Sequence, residues 1–537
     1  MADFIGNGQG RGRADVIVVG AGPVGLTLAL GLRRHGLAVR IVDREPATKE
    51  EPRAAVIWPR GAEALDDLGA AAPVAAAANA LQRLDLHSRG HFVGAVPLGG
   101  LASLYPTPLI IEQHHTERLL TEALEAAGTA VERSAEAVRL QHAAAGVSLR
   151  LRRADGREEE ARASWVVGCD GSRSFVRQAL GIDFPGRRRR NLQILQVDAT
   201  PRWRHPYDAQ HGHYFIAPDA CLGVFPRPEG GYRFFAYVPD PDPAVADPPT
   251  AREMRDLIAA VAGTPELELQ NVTWLNRARF QQRLATRLRH GRVLIAGDAA
   301  HVWPSIGGHG MNIGLRGAHN LAWKLAAVHR GAAPDCLLDT YDAEERHAVS
   351  SFLRLMRLNL VEYPTNRLGY APRAALLRAG LKVPGLAAAI ERAVSDLDSG
   401  HGRSPLSRQA AKGSRLRAGD RVPDQVVVVD TRRERLHELL DYGRWTWLRP
   451  ANLPVETAAA LAEALGASSQ PVTALAVEAG EGALAEIARR WLQVLVRPDR
   501  HIGLVARAED AASLALYLRT WASPAIDGAT APERARV

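Results

Sequence analysis

The 537-residue sequence is poor in cysteine and in lysine. Cys169, Cys221 and Cys336 are widely spaced, odd in number and outside any C-x-x-C pattern. They support neither a disulfide framework nor a zinc site, no metal is expected, and a reducing compartment is implied. Lys49, Lys324, Lys382 and Lys412 are the only lysines, so the formal charge of +8 rests on arginines dispersed among Asp and Glu. Such dispersal looks like compositional bias, not a binding stripe, and no nucleic-acid partner is expected. There is no apolar run of about 18 residues, and the opening "MADFIGNGQGRGRAD" lacks an apolar core. Neither a membrane span nor secretion is therefore expected, and the cytoplasm is the expected location. "GNGQGRG" (Gly6–Gly12) follows no strand and reads as a flexible leader, not a nucleotide loop.

A chain of this length exceeds one core and suggests roughly three units. "ADVIVVGAGPVGLTLALGLRRHGLAVRIVDREP" reads as strand, glycine turn, helix and strand: Val16–Val19 is a β-branched run suited to a strand buried on both faces, and helical spacing runs from Leu26 to Arg34. Short alternating runs around 84–105 and 191–238, broken by Pro-Asp and Gly-Gly turns, read as an antiparallel sheet inserted into this α/β unit. The polar stretch Ser395–Asp420 reads as a linker, and the alternating strands and helices after it as a small α/β domain. The expected division is 14–83, 106–185 and 286–394 for the nucleotide-binding domain; 84–105 and 186–285 for the inserted sheet; 395–419 for the linker; and 420–537 for the C-terminal domain.

Three motifs carry chemistry. Gly20, Gly22 and Gly25 form G-x-G-x-x-G between a strand and a helix, where glycine permits the turn, the approach of a pyrophosphate and close helix packing. Asp43 ends the next strand, positioned to accept ribose hydroxyls, and Arg44 follows it. These residues indicate a dinucleotide, with NAD and FAD both open at this point. "VVGCDGSRSFVRQALGI" places Asp170 and Gly171 in a turn after a second strand. "GDAAHVWPSIGGHGMN" follows the strand Val293–Ala296 and brings Asp298, Pro304, Gly308, His309, Gly310, Met311 and Asn312 to the start of a long helix.

In this order the three motifs resemble those of the class A FAD-dependent aromatic hydroxylases with the para-hydroxybenzoate hydroxylase fold, and the resemblance spans about residues 14–360. "PRAAVIWPRGAEALDDLG" and "EQHHTERLL" are similar to further family segments, in which Arg53 and Gln113 contact the flavin. The tail from "AGDRVPD" to "VLVRPDRHIGLVAR" resembles the thioredoxin-like C-terminal domain of the phenol and polyketide hydroxylase branch, although its lack of cysteine argues against thiol redox work. The resemblance implies an α/β Rossmann-like FAD domain, an inserted sheet for the substrate and a thioredoxin-like tail. It implies FAD reduced by NADPH or NADH, O2 as co-substrate, and hydroxylation of an electron-rich phenolic or polyketide-like aromatic through a flavin C4a-hydroperoxide.

By the same resemblance Asp298 faces the ribityl and pyrophosphate part of FAD, Pro304 lies beside the ring, and Asp170 and Gly171 serve both cofactors. The helix start at Gly310–Asn312 presents positive potential suited to a reduced flavin. His309 stands where the family often has Gln, and is expected either to bond a backbone group or to act on flavin movement and protonation. Tyr214, Phe215, Phe225, Tyr232, Phe234 and Tyr237 are expected to supply the substrate wall, with about half alternating into ordinary core. His211, His213 and Tyr214 are candidates for a substrate base, each more simply read as structural, and Arg187–Arg190 reads as a solvated turn or, alternatively, as a guide for an anionic substrate or the NAD(P)H phosphate. His301 reads as a packed histidine. A homodimer is possible. The competing readings are a halogenase or reductase of the same fold, or a flavoprotein that sequesters an aromatic ligand. The halogenase signature W-x-W-x-I-P is absent, and "WTWLRP" (Trp445–Pro450) approaches it only in part.

Overall fold

The computed structural model describes residues 14–143, 146–242, 244–302, 306–356 and 367–524. Gly6–Gly12 and Pro304 lie outside the described residues.

The first sheet has eight strands, and its centre is parallel. Ala14–Val19 lies between Val39–Val42 and Glu158–Gly168, and Val293–Ile295 pairs beyond the latter. Val16, Ile17 and Val18 have no exposed surface, as a strand covered on both faces requires. Register decides the function of this sheet: Val19 pairs with Val42 and with Gly168, and Gly168 with Ile295. Gly20, Asp43, Asp170 and Asp298 therefore leave the sheet together at its carboxyl edge, where open α/β sheets bind ligands.

Helices Pro23–Arg34 and His309–His329 pack side by side on this sheet. Glycines allow their contact. A Cβ on Gly31 would lie 2.8 Å from that of Ala322, and one on Gly314 would lie 2.5 Å from Cγ2 of Val24.

The second sheet runs in the order 301–302, 268–284, 186–202, 232–239, 220–226, 211–217, 83–88, 91–97 and is antiparallel except where 211–217 meets 83–88. Alternation splits its aromatics as expected. Tyr214, Phe225 and Tyr237, joined by Phe235, pack with Val56, Trp58, Ile313 and Phe352 on the inner face. Phe215, Tyr232 and Phe234 pack on the outer face with Met254 and Ile258 of helix Ala251–Ala262.

A third, seven-stranded mixed sheet carries residues 408–507 with helices Val455–Leu465, Ala485–Arg489 and Ala511–Trp521, an arrangement that fits the thioredoxin-like expectation. Its core is continuous with that of the first sheet, Trp445 meeting Trp323 edge to face at 5.6 Å. The stretch 395–419 is itself packed: Arg408–Gln409 adds an edge strand to the third sheet, and Asp396, His401 and Ser404 are buried. "WTWLRP" is a strand of the same sheet. Its indoles donate to Gln470 and Gln493 within the C-terminal domain.

Candidate cofactor cleft

The nucleotide end of the cleft is shaped by backbone. Gly20 has φ +103°, and a Cβ there would lie 2.4 Å from the Cys169 carbonyl; one on Gly25 would lie 1.9 Å from the Gly20 carbonyl. A Cβ on Gly22, by contrast, would project into open space just before Pro23 opens the helix. A pyrophosphate fits that gap and the free N–H groups of the helix start. Asp43 accepts from Ala21 N (2.6 Å) and Glu45 N (2.8 Å), which clamps the loop and leaves lone pairs for a ribose. Arg44 is exposed beside Glu45.

At the middle, Asp170 accepts from Val176 N at 3.1 Å through one oxygen, while its Oδ1 is buried without a hydrogen-bond partner. Burial raises its pKa above the ordinary range. Gly171 has φ +80° and open space at its Cβ position. Ser174 caps the short helix that follows, and Arg177 reaches from it to the carbonyl of Ala299 at 3.0 Å. Asp298 is solvent-exposed, yet the protein mass around it raises its carboxyl pKa, and His301 and Arg53 counteract this only in part. Both properties belong to a group at the bottom of a concavity. Arg53 pairs with Glu51 at 2.7 Å, and Gln113 donates to Glu117 at 2.8 Å. His301 is buried against Glu345 at 2.8 Å.

The ring end is held by side chains. Gly307 and Gly308 are left-handed in succession, with φ +72° and +66°, and deliver the chain into the 21-residue helix. Asn312 fixes that turn: its Oδ1 accepts from Trp58 N at 2.8 Å, and its Nδ2 donates to the carbonyls of Val56 and Gly308, each at 2.9 Å. Its side chain is thus spent on the protein, and what remains for a cofactor is the backbone of Gly310–Asn312. Met311 packs partly against the main core.

His309 departs from the backbone-bonding expectation. It is buried, its Nδ1 lies 3.1 Å from a carboxylate oxygen of Asp396, and its ring stacks on Trp58 at 5.4 Å. The reason is that Asp396, itself at φ +62°, is folded back into the core with Arg316 at 3.4 Å. Burial would raise the pKa of Asp396, but His309 and Arg316 hold it below the ordinary carboxylate range.

Sequence reasoning missed Trp58, whose indole also donates to the Gly307 carbonyl at 2.9 Å. It also missed Gly223 and Gly212, whose absent side chains let Phe235 and Phe225 lie against the strands. Gly223 meets Phe235 only through the register of adjacent strands, which no local sequence signal reveals.

Of the substrate-sheet candidates, Tyr214 faces inward, with Phe225 and Phe235 each edge-on at 5.9 Å. His213 faces outward and His211 pairs with Asp208. Arg187 lies on a strand, not in a turn, and the side chains of Arg188–Arg190 lie outside the described residues.

The gap at Gly22, the orphaned Asp170 oxygen and the open Asp298 carboxylate fit one extended dinucleotide along the carboxyl edge. Comparison with known proteins agrees. Residues 13–355 match the family described as FAD binding domain, and residues 416–525 the one described as aromatic-ring hydroxylase, C-terminal. A 12-dehydrotetracycline 5-monooxygenase/anhydrotetracycline 6-monooxygenase from Streptomyces rimosus is 32% identical over 95% of this chain and 99% of its own. A 6-methylpretetramide 4-monooxygenase from the same species is 36% identical over 61% of this chain and 58% of its own. The solved structure of an anhydrotetracycline hydroxylase from S. rimosus superposes with a TM-score of 0.75 at 31% identity, covering 96% of this chain and all of that one. No helix among the described residues is long and apolar enough to cross a membrane. The chain belongs to the FAD-dependent aromatic-ring hydroxylases, monooxygenases that use FAD, a nicotinamide reductant and O2.

Proposed function

We propose that the protein hydroxylates a multi-ring, electron-rich aromatic of the polyketide type, bound between the inner face of the second sheet and the ring end of the cleft. The observation that carries this reading is the aromatic wall: Tyr214, Phe225, Phe235 and Tyr237 lie on one face across three adjacent strands and pack in one cluster with Trp58 and Ile313. A broad apolar wall suits a planar polycyclic ligand and excludes water from the reacting ring. The names of the relatives, which concern tetracycline-type compounds, favour the same class.

In this reading Gly20, Gly22, Gly25, Asp43 and Arg44 hold the adenosine and pyrophosphate portion. Arg53, Gln113, Asp170, Gly171 and Asp298 line the middle, and Gly308, Gly310, Met311 and Asn312 form the turn beneath the ring. Bound FAD supplies the two-electron chemistry that activates O2 for transfer to an aromatic carbon. The chain's own contribution is positional. The N-terminus of the long helix presents unpaired N–H groups and partial positive charge to developing anionic character. Asn312 and Trp58 keep that helix start in place, and His309 fastens it to Asp396. Pro304 is assigned beside the ring by resemblance alone. Tyr214 and Tyr237 both bring hydroxyls to the substrate face; an ordinary phenol ionises near pKa ~10, so a substrate phenol gains from a hydrogen-bonding partner there.

The division of labour follows the spans read from sequence, with 14–83, 106–185 and 286–394 for FAD, 84–105 and 186–285 for substrate, and 420–537 as a brace. A cytoplasmic location accords with the free thiols. Self-association into a homodimer is tested by light scattering of the full chain, and the mass of a single chain refutes it. For the substrate, NAD(P)H oxidation is followed over a panel of simple phenols and polycyclic polyketides, with products weighed. The expected result is a mass gain of one oxygen on a polycyclic member. Turnover confined to single-ring phenols overturns the class, and tight binding without NAD(P)H oxidation favours sequestration.

A further inference from the structure

The outer face of the second sheet carries a feature that the flavin chemistry does not use. Strands Arg83–Ser88 and His211–Ala217 run parallel, with His213 beside Asp85 and Phe215 beside His87. Alternation sends Asp85, His87 and His213 outward, while Leu86 and Tyr214 turn to the aromatic wall. His87 Nε2 lies 3.3 Å from His213 Nδ1, and that nitrogen lies 4.0 Å from Asp85 Oδ2. One ligand atom from each of the three lies within 4.8 Å of the others. The ring of His205 stands 5.3 Å from His87 and 5.2 Å from His213, on the half-buried side of the group.

These distances have a chemical meaning. Bonds of about 2.0–2.1 Å to a tetrahedral ion separate two ligand nitrogens by about 3.3 Å, the spacing already held by the long hydrogen bond between His87 and His213. His87 and His213 are only 4% and 7% exposed, and His87 Nδ1 has no hydrogen-bond partner. Burial keeps both rings neutral, His87 lowered to about 3 and His213 to about 4, so their lone pairs are available. Arg83 donates to Asp85 Oδ1 at 2.5 Å, which orients the carboxylate and leaves Oδ2 free; Arg204 reaches His205 Nε2 at 3.3 Å. Phe215, Phe92 and Trp203 surround the group with apolar rings. Oriented ligands beside apolar rings are the usual surroundings of a bound metal.

We propose that Asp85, His87 and His213 form a three-residue site for a divalent transition metal ion, zinc in type, on the face of the sheet opposite the substrate wall, with the fourth position taken by water. Imidazole and carboxylate donors without thiolate suit Zn2+ or Co2+ and disfavour the oxygen-seeking Ca2+ and Mg2+. The ion would fasten the edge hairpin 83–97 to the strand that carries Tyr214.

The test uses tag-free, chelator-treated full-length protein with FAD bound, titrated with Co2+ and then Zn2+. One equivalent of Co2+ is expected, with the visible absorption of a tetrahedral site, displaced by Zn2+, and with a rise in Tm. His87→Gln and His213→Gln should each weaken binding by more than about tenfold, and the double variant should abolish it, with FAD content unchanged. Should either buried variant fail to fold, Asp85→Asn on the half-buried side carries the same expectation. Substoichiometric binding overturns the proposal. So does binding that survives in the variants, for example at the more exposed trio His114, His115 and Glu229.

Discussion

The two ends of the cofactor cleft are built on different principles. At the nucleotide end the backbone forms the site, and glycine is obligatory at positions 20 and 25, where a Cβ would collide with the carbonyls of Cys169 and Gly20. At the ring end a backbone turn of similar glycine content is held by side chains from distant segments: Trp58, Asn312, His309 and Asp396. The first kind of site tolerates no added atom at Gly20 or Gly25 and depends little on distant partners. The second depends on contacts spanning more than 250 residues of sequence, as between Trp58 and Asn312.

The sharpest way to break the comparison is at Gly25. Gly25→Ala places a methyl 1.9 Å from a backbone oxygen that cannot move without shifting the central strand. Purified Gly25→Ala protein is expected to carry no FAD, read from its visible absorbance. Retention of a full equivalent would show that the nucleotide end is as adaptable as the ring end.

The next effect in size comes from behind the ring end. Glu344 accepts from Lys324 (2.6 Å), Arg497 (2.7 Å), Asn320 (2.9 Å) and Ser404 (2.6 Å), all buried. Nearby, Arg421 binds Glu63 and Arg500 binds Asp67 on helix Pro59–Asp67, which Trp58 precedes. The C-terminal domain thus braces the helix that positions the ring-end turn. Glu344→Ala leaves buried cations without their partner and should cost about 3–5 kcal/mol, seen as a large loss in denaturant midpoint. An unchanged midpoint would mean that the C-terminal domain is not a brace.

Asn312→Ala is smaller. It strips Trp58 N of its acceptor and two carbonyls of a donor, a loss of about 1–3 kcal/mol for groups left unsatisfied in the interior. FAD should still bind, because the nucleotide end is intact, but NAD(P)H oxidation should uncouple from product formation as the ring end loosens. Tight coupling in this variant would show that the side-chain clamp does not govern the ring.

These contrasts explain what the sequence could reveal. Gly20, Gly22, Gly25, Asp43 and Asp298 were legible because each sits next to a strand end, and periodicity locates strand ends. The even split of the sheet aromatics was legible as a number, since a strand alternates, but the direction of each ring was not. Asp396 illustrates the limit: a polar, glycine-bearing stretch looks like a tether, and nothing local reveals that His309, 87 residues earlier, draws it into the core. Likewise Asp85, His87 and His213 lie on strands separated by more than 100 residues, and only parallel pairing brings them together.

The mildest test is pH, and it bears on the brace alone. His501 is buried among Asp499, Arg60, Arg497 and His401, and burial lowers its pKa from 6.5 to about 4, even though Asp499 pulls in the opposite direction. As pH falls below 6.5 the unfolded chain binds this proton and the folded one does not, so stability is complete above 6.5 and declines towards about 4, by about 1.4 kcal/mol per pH unit for one such group. Glu344 and Asp499, held well below the ordinary carboxylate range despite burial, lose their contribution only at lower pH. His35, at the far end of the nucleotide helix and lowered to about 3, shares the upper window. His501→Gln therefore isolates one buried histidine of the brace. The Tm of the parent protein should fall between pH 6.5 and pH 5, and the variant should fall less steeply. Parallel curves would shift the acid sensitivity from His501 to the other buried histidines of the brace, His401 and His437, whose pKa values burial also lowers.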